Sequence, residues 1–255
     1  MSKMANIIGK KEDAVKYAAL AEEVKAGYNK AFFKKTCYSK GKQTPNVLAL
    51  CFGLVPAHMV DIAVSSLVKD IKKRKNHLDT GIYGTRFLLD ALADNGQIDT
   101  AFEILTSTGY PGFGFTIAQG ATTLWEQWSA YMVGMQSHNH AMFSGIGVSF
   151  FTQLGGICNG GNAFKNIVIK PVIPSKLKSA QAETETIRGI VKSAWSKESG
   201  KLKLEVTIPY GSLAKIYFPA HEGADIKVNC GPGVGYEDGY YVYETGGGQY
   251  SFEVM

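Results

Sequence analysis

Residues 120–128 read Gly-Ala-Thr-Thr-Leu-Trp-Glu-Gln-Trp and place one carboxylate, Glu126, between two indole rings. Trp rings offer apolar faces on which a pyranose can stack, and they partly remove water from the carboxylate, which makes it a better base. The same spacing also fits the start of an amphipathic helix that buries Trp125 and Trp128 and leaves Glu126 in solvent. The stretch alone therefore leaves two interpretations open, a sugar-cleaving site and an ordinary helix start.

Two other polar, glycine-containing junctions flank this stretch. Residues 77–85 read His-Leu-Asp-Thr-Gly-Ile-Tyr-Gly-Thr, and residues 137–145 read Ser-His-Asn-His-Ala-Met-Phe-Ser-Gly; each leads into an apolar helical run. In a ring of helical hairpins such helix starts face one end, where backbone N–H groups and side chains can bind a polar ligand. The three junctions therefore predict one shared polar site.

Hydrophobic periodicity predicts helices through the first part of the chain. Tyr17, Ala21, Val24, Tyr28 and Phe32 fall at helical spacing and predict one buried face of a long helix from Lys11 to Phe33. The break at Asp94-Asn95-Gly96 indicates antiparallel neighbours. Further helices are predicted over residues 45–52, 57–73, 82–93 and 98–105, with two more beginning near Thr122 and near His138.

After about residue 161 the pattern changes to alternation interrupted by Pro and Gly. Short strands are predicted over residues 167–169, 202–208, 214–218 and 240–243. Strands at this spacing are typical of a small antiparallel β-sandwich. We therefore expect two domains, a helical one over residues 1–158 and a β-sandwich over residues 159–255.

Composition and charge narrow the function classes. The formal net charge is +5, but the basic run over residues 69–75 lacks interleaved aromatics for base stacking, so a solvated helix end is favoured over a nucleic-acid site. The four cysteines lack zinc-site spacing, which predicts free thiols and no metal or cofactor. The sequence contains no run of about 18 apolar residues, so no membrane span is predicted. No signal segment is recognisable either, and the sequence does not identify the compartment.

The order of these motifs closely resembles the bacterial α-L-rhamnosidases. The resemblance rests on residues 78–85, 94–96, 109–114 (Gly-Tyr-Pro-Gly-Phe-Gly), 120–128 and 137–140. It extends from about Met4 to the C-terminus but does not cover the whole family protein. It implies an incomplete (α/α)6 six-hairpin barrel followed by a C-terminal, jelly-roll-like β-sandwich.

The resemblance also implies roles for single residues. Glu126 would be the general base that takes a proton from water in an inverting hydrolysis of terminal α-L-rhamnose from a rhamnose-containing oligosaccharide or glycoside. His140 would contact the rhamnose hydroxyls, since a neutral imidazole both donates and accepts hydrogen bonds. Trp125 and Trp128 are substrate-binding candidates for which packing that orients Glu126 is the favoured role. Asp79 is expected to cap a helix.

The general acid is missing from this assignment. Inverting cleavage needs a second carboxyl group roughly 6.5–9.5 Å from the base, and the resemblance implies that it lies on the first half of the barrel, which has no counterpart here. We therefore interpret the chain as a C-terminal portion whose inner helical faces would be exposed, with the N-terminal half or a second copy of the chain as its partner.

A non-catalytic carbohydrate-binding or structural protein is the main alternative to a hydrolase. A lyase or phosphorylase is a weaker alternative. A lyase acting on uronic acids would need a Tyr or His base with Arg or Asn against the substrate carboxylate, and a phosphorylase would need a basic phosphate pocket near the base. Neither set of residues is visible in the sequence.

Overall fold

The computed structural model describes residues 1–129 and 137–254, which form a helical region followed by a β-rich region. The helices are α1 (Ser2–Ile7), α2 (Lys11–Phe32), α3 (Gln43–Cys51), α4 (Val60–Lys73), α5 (Ile82–Ala93), α6 (Ile98–Thr106), α7 (Phe113–Ala118) and α8 (Ile146–Ser149). Short 3-10 turns precede α3 and α4, and the stretch over residues 141–154 combines a 3-10 turn, α8 and one π-helical turn.

Helix α2 has the length predicted, but its predicted buried face is wrong for Ala21, Val24 and Phe32. Val24 and Phe32 are 60% and 52% exposed, and Leu20 beside them is 48% exposed. Tyr17 and Tyr28 of the predicted face are partly buried, and Ala14 is the buried residue of α2. Its many Ala, Lys and Glu residues favour helix intrinsically, so the helix forms without being covered. Both of its ends are tied to the rest of the helical region: Ser2 Oγ of α1 donates to Ala14 O at 2.8 Å, and the Asn29 amide donates to Leu54 O at 2.7 Å. We call the surface of Leu20, Ala21, Val24 and Phe32 the α2 face.

Helices α3 to α6 enclose the main core of the helical region. Leu67 and Ile71 lie one turn apart on α4 and are fully buried, which the four-residue spacing explains. The core is completed by α3, α5 and α6, with Val47, Leu88, Leu92 and Ile104. The hairpin predicted at residues 94–96 is confirmed, since α5 ends at Ala93 and α6 begins at Ile98.

The β-rich region consists of two five-stranded sheets. A separate short pair, β1 (Phe33–Lys34) and β2 (Cys37–Tyr38), follows α2. The sheets are formed by β3 (Ile157–Gly161), β4 (Asn166–Ile169), β5 (Ser179–Thr186), β6 (Gly189–Glu198), β7 (Lys201–Ile208), β8 (Leu213–Pro219), β9 (Ile226–Val228), β10 (Gly235–Glu237), β11 (Tyr240–Thr245) and β12 (Gly248–Val254). Their strand orders are β10-β11-β8-β4-β3 and β5-β6-β7-β12-β9. Neighbouring strands pair antiparallel except β4 and β8, which pair parallel because the chain passes through the other sheet between them.

The two sheets pack face to face over a closed apolar core. In the second sheet Trp195 lies opposite Leu204, and Leu204 lies opposite Phe252, so these three side chains share the inner face. Phe252 stacks on Phe218 of the first sheet, with ring centroids 5.8 Å apart. Their exposure is at most 2%, as expected for alternating strands with one face turned inward.

Polar contacts join the two regions. The Trp195 indole donates to Leu154 O at 2.7 Å, and Asp99 Oδ1 accepts from the Ser175 amide at 2.6 Å. Next to this junction, within the helical region, Asp94 Oδ1 accepts from Gln153 Nε2 at 3.0 Å. Burial raises the pKa of the Asp94 carboxyl, although this hydrogen bond acts in the opposite direction. The junction is therefore specified by individual hydrogen bonds as well as by packing.

Several other predictions can be compared with the structure. The helical stretch ends at Leu154 and β3 begins at Ile157, so the expected domain limit after Cys158 falls inside a strand and stays a prediction. The four cysteines are free thiols, as predicted, and burial raises the pKa of Cys51 to about 12. Over residues 1–129 and 137–254, no helix is both long enough and apolar enough to cross a membrane.

Candidate active site

The Trp-Glu stretch and the Ser-His stretch run side by side. The Glu126 amide donates to Ser137 O at 3.0 Å, and the His140 amide donates to Leu124 O at 2.8 Å. Residues 121–129 are not helical, so the helix predicted to begin near Thr122 is wrong for this part, and its continuation over residues 130–136 lies outside the described residues. The helix predicted near His138 begins with a 3-10 turn at Ala141. Glu126 is therefore held by backbone pairing and not by a helix.

Glu126 and His140 lie next to each other, as the two sequence motifs predicted. Glu126 Oε2 accepts from the Ser137 amide at 3.1 Å, while Oε1 lies 4.0 Å from His140 Nε2. The two side chains are 37% and 33% exposed, so solvent reaches both. Since 4.0 Å is too long for a direct hydrogen bond between these atoms, one hydroxyl group or water could contact both. The arrangement can hold a carboxylate in one orientation and present it to a polar ligand.

Trp125 is buried and is not a surface residue. The residue is 4% exposed, and its ring stacks on His138 with centroids 5.0 Å apart. A buried indole has no free face for a pyranose, so the structure supports the packing role for Trp125. Direct contact between this ring and a sugar stays a prediction.

Trp128 connects the polar junctions that are predicted from the sequence to form one shared site. Its Nε1 donates to Thr80 O at 2.8 Å, its ring stacks on Phe143 at 4.1 Å, and Phe113 meets it edge-on at 5.0 Å. These partners come from the stretch before α5, from the 3-10 turn after His140 and from α7. Trp128 therefore anchors the Glu126 segment to three parts of the helical region, and its half-buried ring leaves less room for sugar stacking than a surface ring would.

The stretch before α5 is stabilised by a residue that the sequence motifs did not reveal. Gln43 is fully buried; its amide nitrogen donates to His77 O at 3.0 Å, and its oxygen accepts from the Asp79 amide at 2.8 Å. Asp79 does not cap α5 as predicted, because Gly81 occupies the cap position and the Asp79 carboxylate pairs with Arg74 at 2.9 Å. Gln43 stands between Lys42 and Thr44 at the start of α3, so the sequence gives no signal that this residue is buried or which groups it contacts.

The Gly-Tyr-Pro-Gly-Phe-Gly motif follows α6 and leads into α7. Gly109 lies directly against the imidazole of His77, and a methyl group at this position would overlap the ring. This close approach explains why glycine stands at residue 109. The contact fixes the entry into α7, which carries Phe113 to the ring of Trp128.

No metal centre accompanies the pair within the described part of the chain. Over residues 1–129 and 137–254, no group of three or more His, Cys, Asp or Glu side chains is placed to hold a metal ion.

Two family descriptions match consecutive parts of the chain. Residues 1–154 match the bacterial alpha-L-rhamnosidase 6 hairpin glycosidase domain. Residues 156–231 match the bacterial alpha-L-rhamnosidase C-terminal domain.

Curated relatives match over most of this chain but only part of their own length. An alpha-L-rhamnosidase of Formosa agariphila is 34% identical over 237 residues, which are 89% of this chain and 26% of the relative. An alpha-L-rhamnosidase of Streptomyces avermitilis is 31% identical over 261 residues, which cover 99% of this chain and 25% of the relative. The chain thus spans about a quarter of the length of these relatives.

Solved structures match the fold closely. The crystal structure of the Streptomyces avermitilis alpha-L-rhamnosidase complexed with L-rhamnose matches 100% of this chain and 25% of that chain, with a TM-score of 0.93 and 30% identity. The structure of the alpha-L-rhamnosidase from Dictyoglumus thermophilum matches 99% of this chain and 30% of that chain, with a TM-score of 0.92 and 34% identity.

Proposed function

The chain belongs to the bacterial α-L-rhamnosidase family, and from this membership we propose that it carries the water-activating part of a rhamnoside hydrolase site, with Glu126 as general base and His140 as a sugar-binding residue. The observation that carries the proposal is the placement of the Glu126 carboxylate 4.0 Å from the His140 imidazole, both accessible to solvent. These are the two polar residues that the family motifs single out. Their proximity depends on a fold that joins residues 124–126 to residues 137–140.

In the proposed reaction, Glu126 takes a proton from a water molecule held against its carboxylate. The water oxygen forms a bond to the anomeric carbon on the face opposite the glycosidic oxygen, and the bond from that carbon to the leaving oxygen breaks. A general acid gives its proton to the leaving oxygen, so the sugar is released with inverted configuration. The amide of Ser137 holds Oε2 of Glu126 at 3.1 Å, which keeps the carboxylate in one orientation during this step.

The proposed substrate is a terminal α-L-rhamnose residue on an oligosaccharide or other glycoside. The support comes from the Streptomyces avermitilis relative, whose crystal structure contains L-rhamnose. Rhamnose is an uncharged deoxy sugar, so hydroxyl contacts of the kind that His140 can make, together with an apolar wall for the methyl group, suffice to bind it.

We propose that the general acid comes from helical hairpins outside this chain. The chain spans about a quarter of the length of its relatives, and the α2 face is apolar and exposed. Apolar helix faces are normally covered, and the remaining hairpins of the six-hairpin domain are the occupant that matches this surface. A second copy of the chain is the competing occupant.

A non-catalytic carbohydrate-binding role is the second candidate. The same exposed α2 face favours it, since a chain without the covering hairpins would keep the sugar-contacting residues and lack the acid. Such a protein would bind rhamnose without cleaving its glycosides.

The test is hydrolysis of a chromogenic aryl α-L-rhamnoside by the chain alone and by the chain mixed with the N-terminal portion of the Streptomyces avermitilis relative. We expect turnover in the mixture, reduced by about 10²–10⁴-fold in Glu126→Gln and unchanged in Glu198→Gln, which makes the same charge change on a distant exposed strand end. If the chain alone turns over the substrate and Glu126→Gln abolishes this turnover, the assignment of Glu126 as general base is retained. The proposal that the general acid comes from outside this chain is then overturned. Absence of turnover in both, with retained binding of L-rhamnose, would favour the non-catalytic role.

A further inference from the structure

The outer face of the second sheet carries a groove that lies outside the candidate active site. Its volume is about 460 Å³, within the range of about 300–1,000 Å³ usual for small-molecule sites. We call it the β-sheet groove. It is lined chiefly by Gln181, Lys192, Ala194, Glu205, Asn229 and Ser251.

Strand register assembles this groove from four strands. Gln181 lies opposite Ala194, Ala194 opposite Glu205, and Glu205 opposite Ser251, so one row crosses β5, β6, β7 and β12. Opposite residues on paired strands point to the same side of a sheet. Trp195, Leu204 and Phe252 fill the other side, which fixes this row as outward-facing. The small Ala194 forms the floor between longer polar side chains.

One edge of the groove is closed by a fixed amide. Asn229 follows β9; its Nδ2 donates to Gln249 O at 3.2 Å and its Oδ1 accepts from the Ser251 amide at 2.8 Å. These two bonds to the backbone of β12 hold the side chain in place. The groove is therefore a built feature of the sheet, with a wall whose position does not depend on a mobile side chain.

The charges around the groove cancel in pairs. Lys192 Nζ lies 2.7 Å from Glu183 Oε2, and Lys203 Nζ lies 2.7 Å from Glu205 Oε1. A site whose charges are already paired favours a neutral ligand over an anion or a cation. The lining combines amide, hydroxyl and paired charged groups with apolar atoms, and its floor is the small Ala194 instead of the large apolar side chains that usually form the centre of a protein interface.

We propose that the β-sheet groove binds a neutral, hydroxyl-rich oligosaccharide. Amide, hydroxyl and carboxylate groups in a cross-strand row offer alternating donors and acceptors, which matches the successive hydroxyls of a glycan. This site is separate from Glu126 and His140, and the proposal does not depend on hydrolysis. It gives the C-terminal β-rich region a carbohydrate-binding role of its own.

The experiment is an NMR titration of the full ¹⁵N-labelled chain with a linear α-L-rhamnotetraose, and with tetragalacturonate as a charged probe of the same length. We expect saturable shifts of the Ala194, Glu205 and Ser251 amides with the neutral probe at a Kd of about 1 mM, and at least about tenfold weaker binding of the charged probe. Shifts confined to the segments around Glu126 and His140, or none up to about ten times that concentration, would overturn the proposal.

Matched variants separate this site from the candidate active site. Glu205→Gln is expected to weaken the neutral probe about tenfold, while Glu185→Gln, the same change on the same sheet face outside the groove, should leave binding unchanged. Ala194→Leu should block binding by filling the floor, with the far-UV spectrum and thermal midpoint confirming that the sheet still folds. Glu126→Gln must leave the groove shifts intact; their loss in that variant would assign the binding to the active site and contradict the proposal.

Discussion

The helical region and the β-sandwich differ in how completely their apolar side chains are buried. The sandwich turns Trp195, Leu204 and Phe252 against a second sheet and buries them almost completely, whereas α2 leaves Val24 and Phe32 more than half exposed. Both segments have regular apolar periodicity, so the pattern alone does not separate them. The difference shows that periodicity indicates which face is suited to burial, while burial itself requires a partner surface.

The largest effect on stability is expected in the closed core of the β-sandwich. Phe252→Ala removes a fully buried ring that stacks on Phe218, and we expect it to lower the free energy of unfolding by about 3–5 kcal/mol. Urea denaturation followed by Trp fluorescence measures the change. A loss below about 1 kcal/mol would show that the sandwich core is less tightly closed than its geometry indicates.

A smaller effect is expected at the anchor of the candidate active site. Trp128→Phe keeps an aromatic ring against Phe143 but removes the donor to Thr80 O, which should cost about 1–1.5 kcal/mol. The measurement is urea denaturation, with Trp128→Leu to separate the loss of the ring from the loss of the hydrogen bond. An unchanged midpoint for Trp128→Phe would mean that the bond to Thr80 contributes nothing to the anchoring of the Glu126 segment.

Near the junction between the two regions, Asp94→Asn tests the carboxyl that accepts a hydrogen bond from Gln153. Because burial raises the pKa of Asp94, the folded chain holds this proton more tightly than the unfolded chain does. Stability from this group is therefore highest below the ordinary Asp range and falls as the pH rises through the raised pKa. We expect Asp94→Asn to match the parent in acid and to exceed its thermal midpoint modestly at neutral pH, since Asn keeps an acceptor for Gln153. A variant that is less stable than the parent at neutral pH would contradict this sign.

The smallest effect on stability is expected on the α2 face. Val24→Ser should change the free energy of unfolding by less than about 0.5 kcal/mol, because the side chain is already 60% exposed. The matched substitution Val191→Ser, at a fully buried position of β6, should cost about 2–3 kcal/mol. Equal costs at the two positions would erase the contrast between the regions. Light scattering on the same samples should show weaker self-association for Val24→Ser, since the variant reduces an exposed apolar patch.

Much of the candidate site was predictable because its signals are local. The bounds of α5 and the spacing of the Trp-Glu and Ser-His motifs follow from neighbouring residues, and the proximity of Glu126 and His140 follows from the family resemblance. The strands over residues 202–208 and 214–218 were predictable from alternation. Strands β5 and β6 were harder to recognise, because small and polar residues such as Ala182 and Ser193 fill their inner positions.

The sequence by itself determined the helical and strand periods, the order of the two regions and the residues that carry the family motifs, because each of these depends on side chains close together in the chain. The tertiary structure alone decided that Gln43 holds the stretch before α5, that Asp79 pairs with Arg74 and that the α2 face is exposed. These outcomes depend on contacts between residues far apart in the sequence, or on a partner surface that the pattern does not contain. Local patterns specify what a segment can bury or bind, and the packed fold determines which partner each side chain meets.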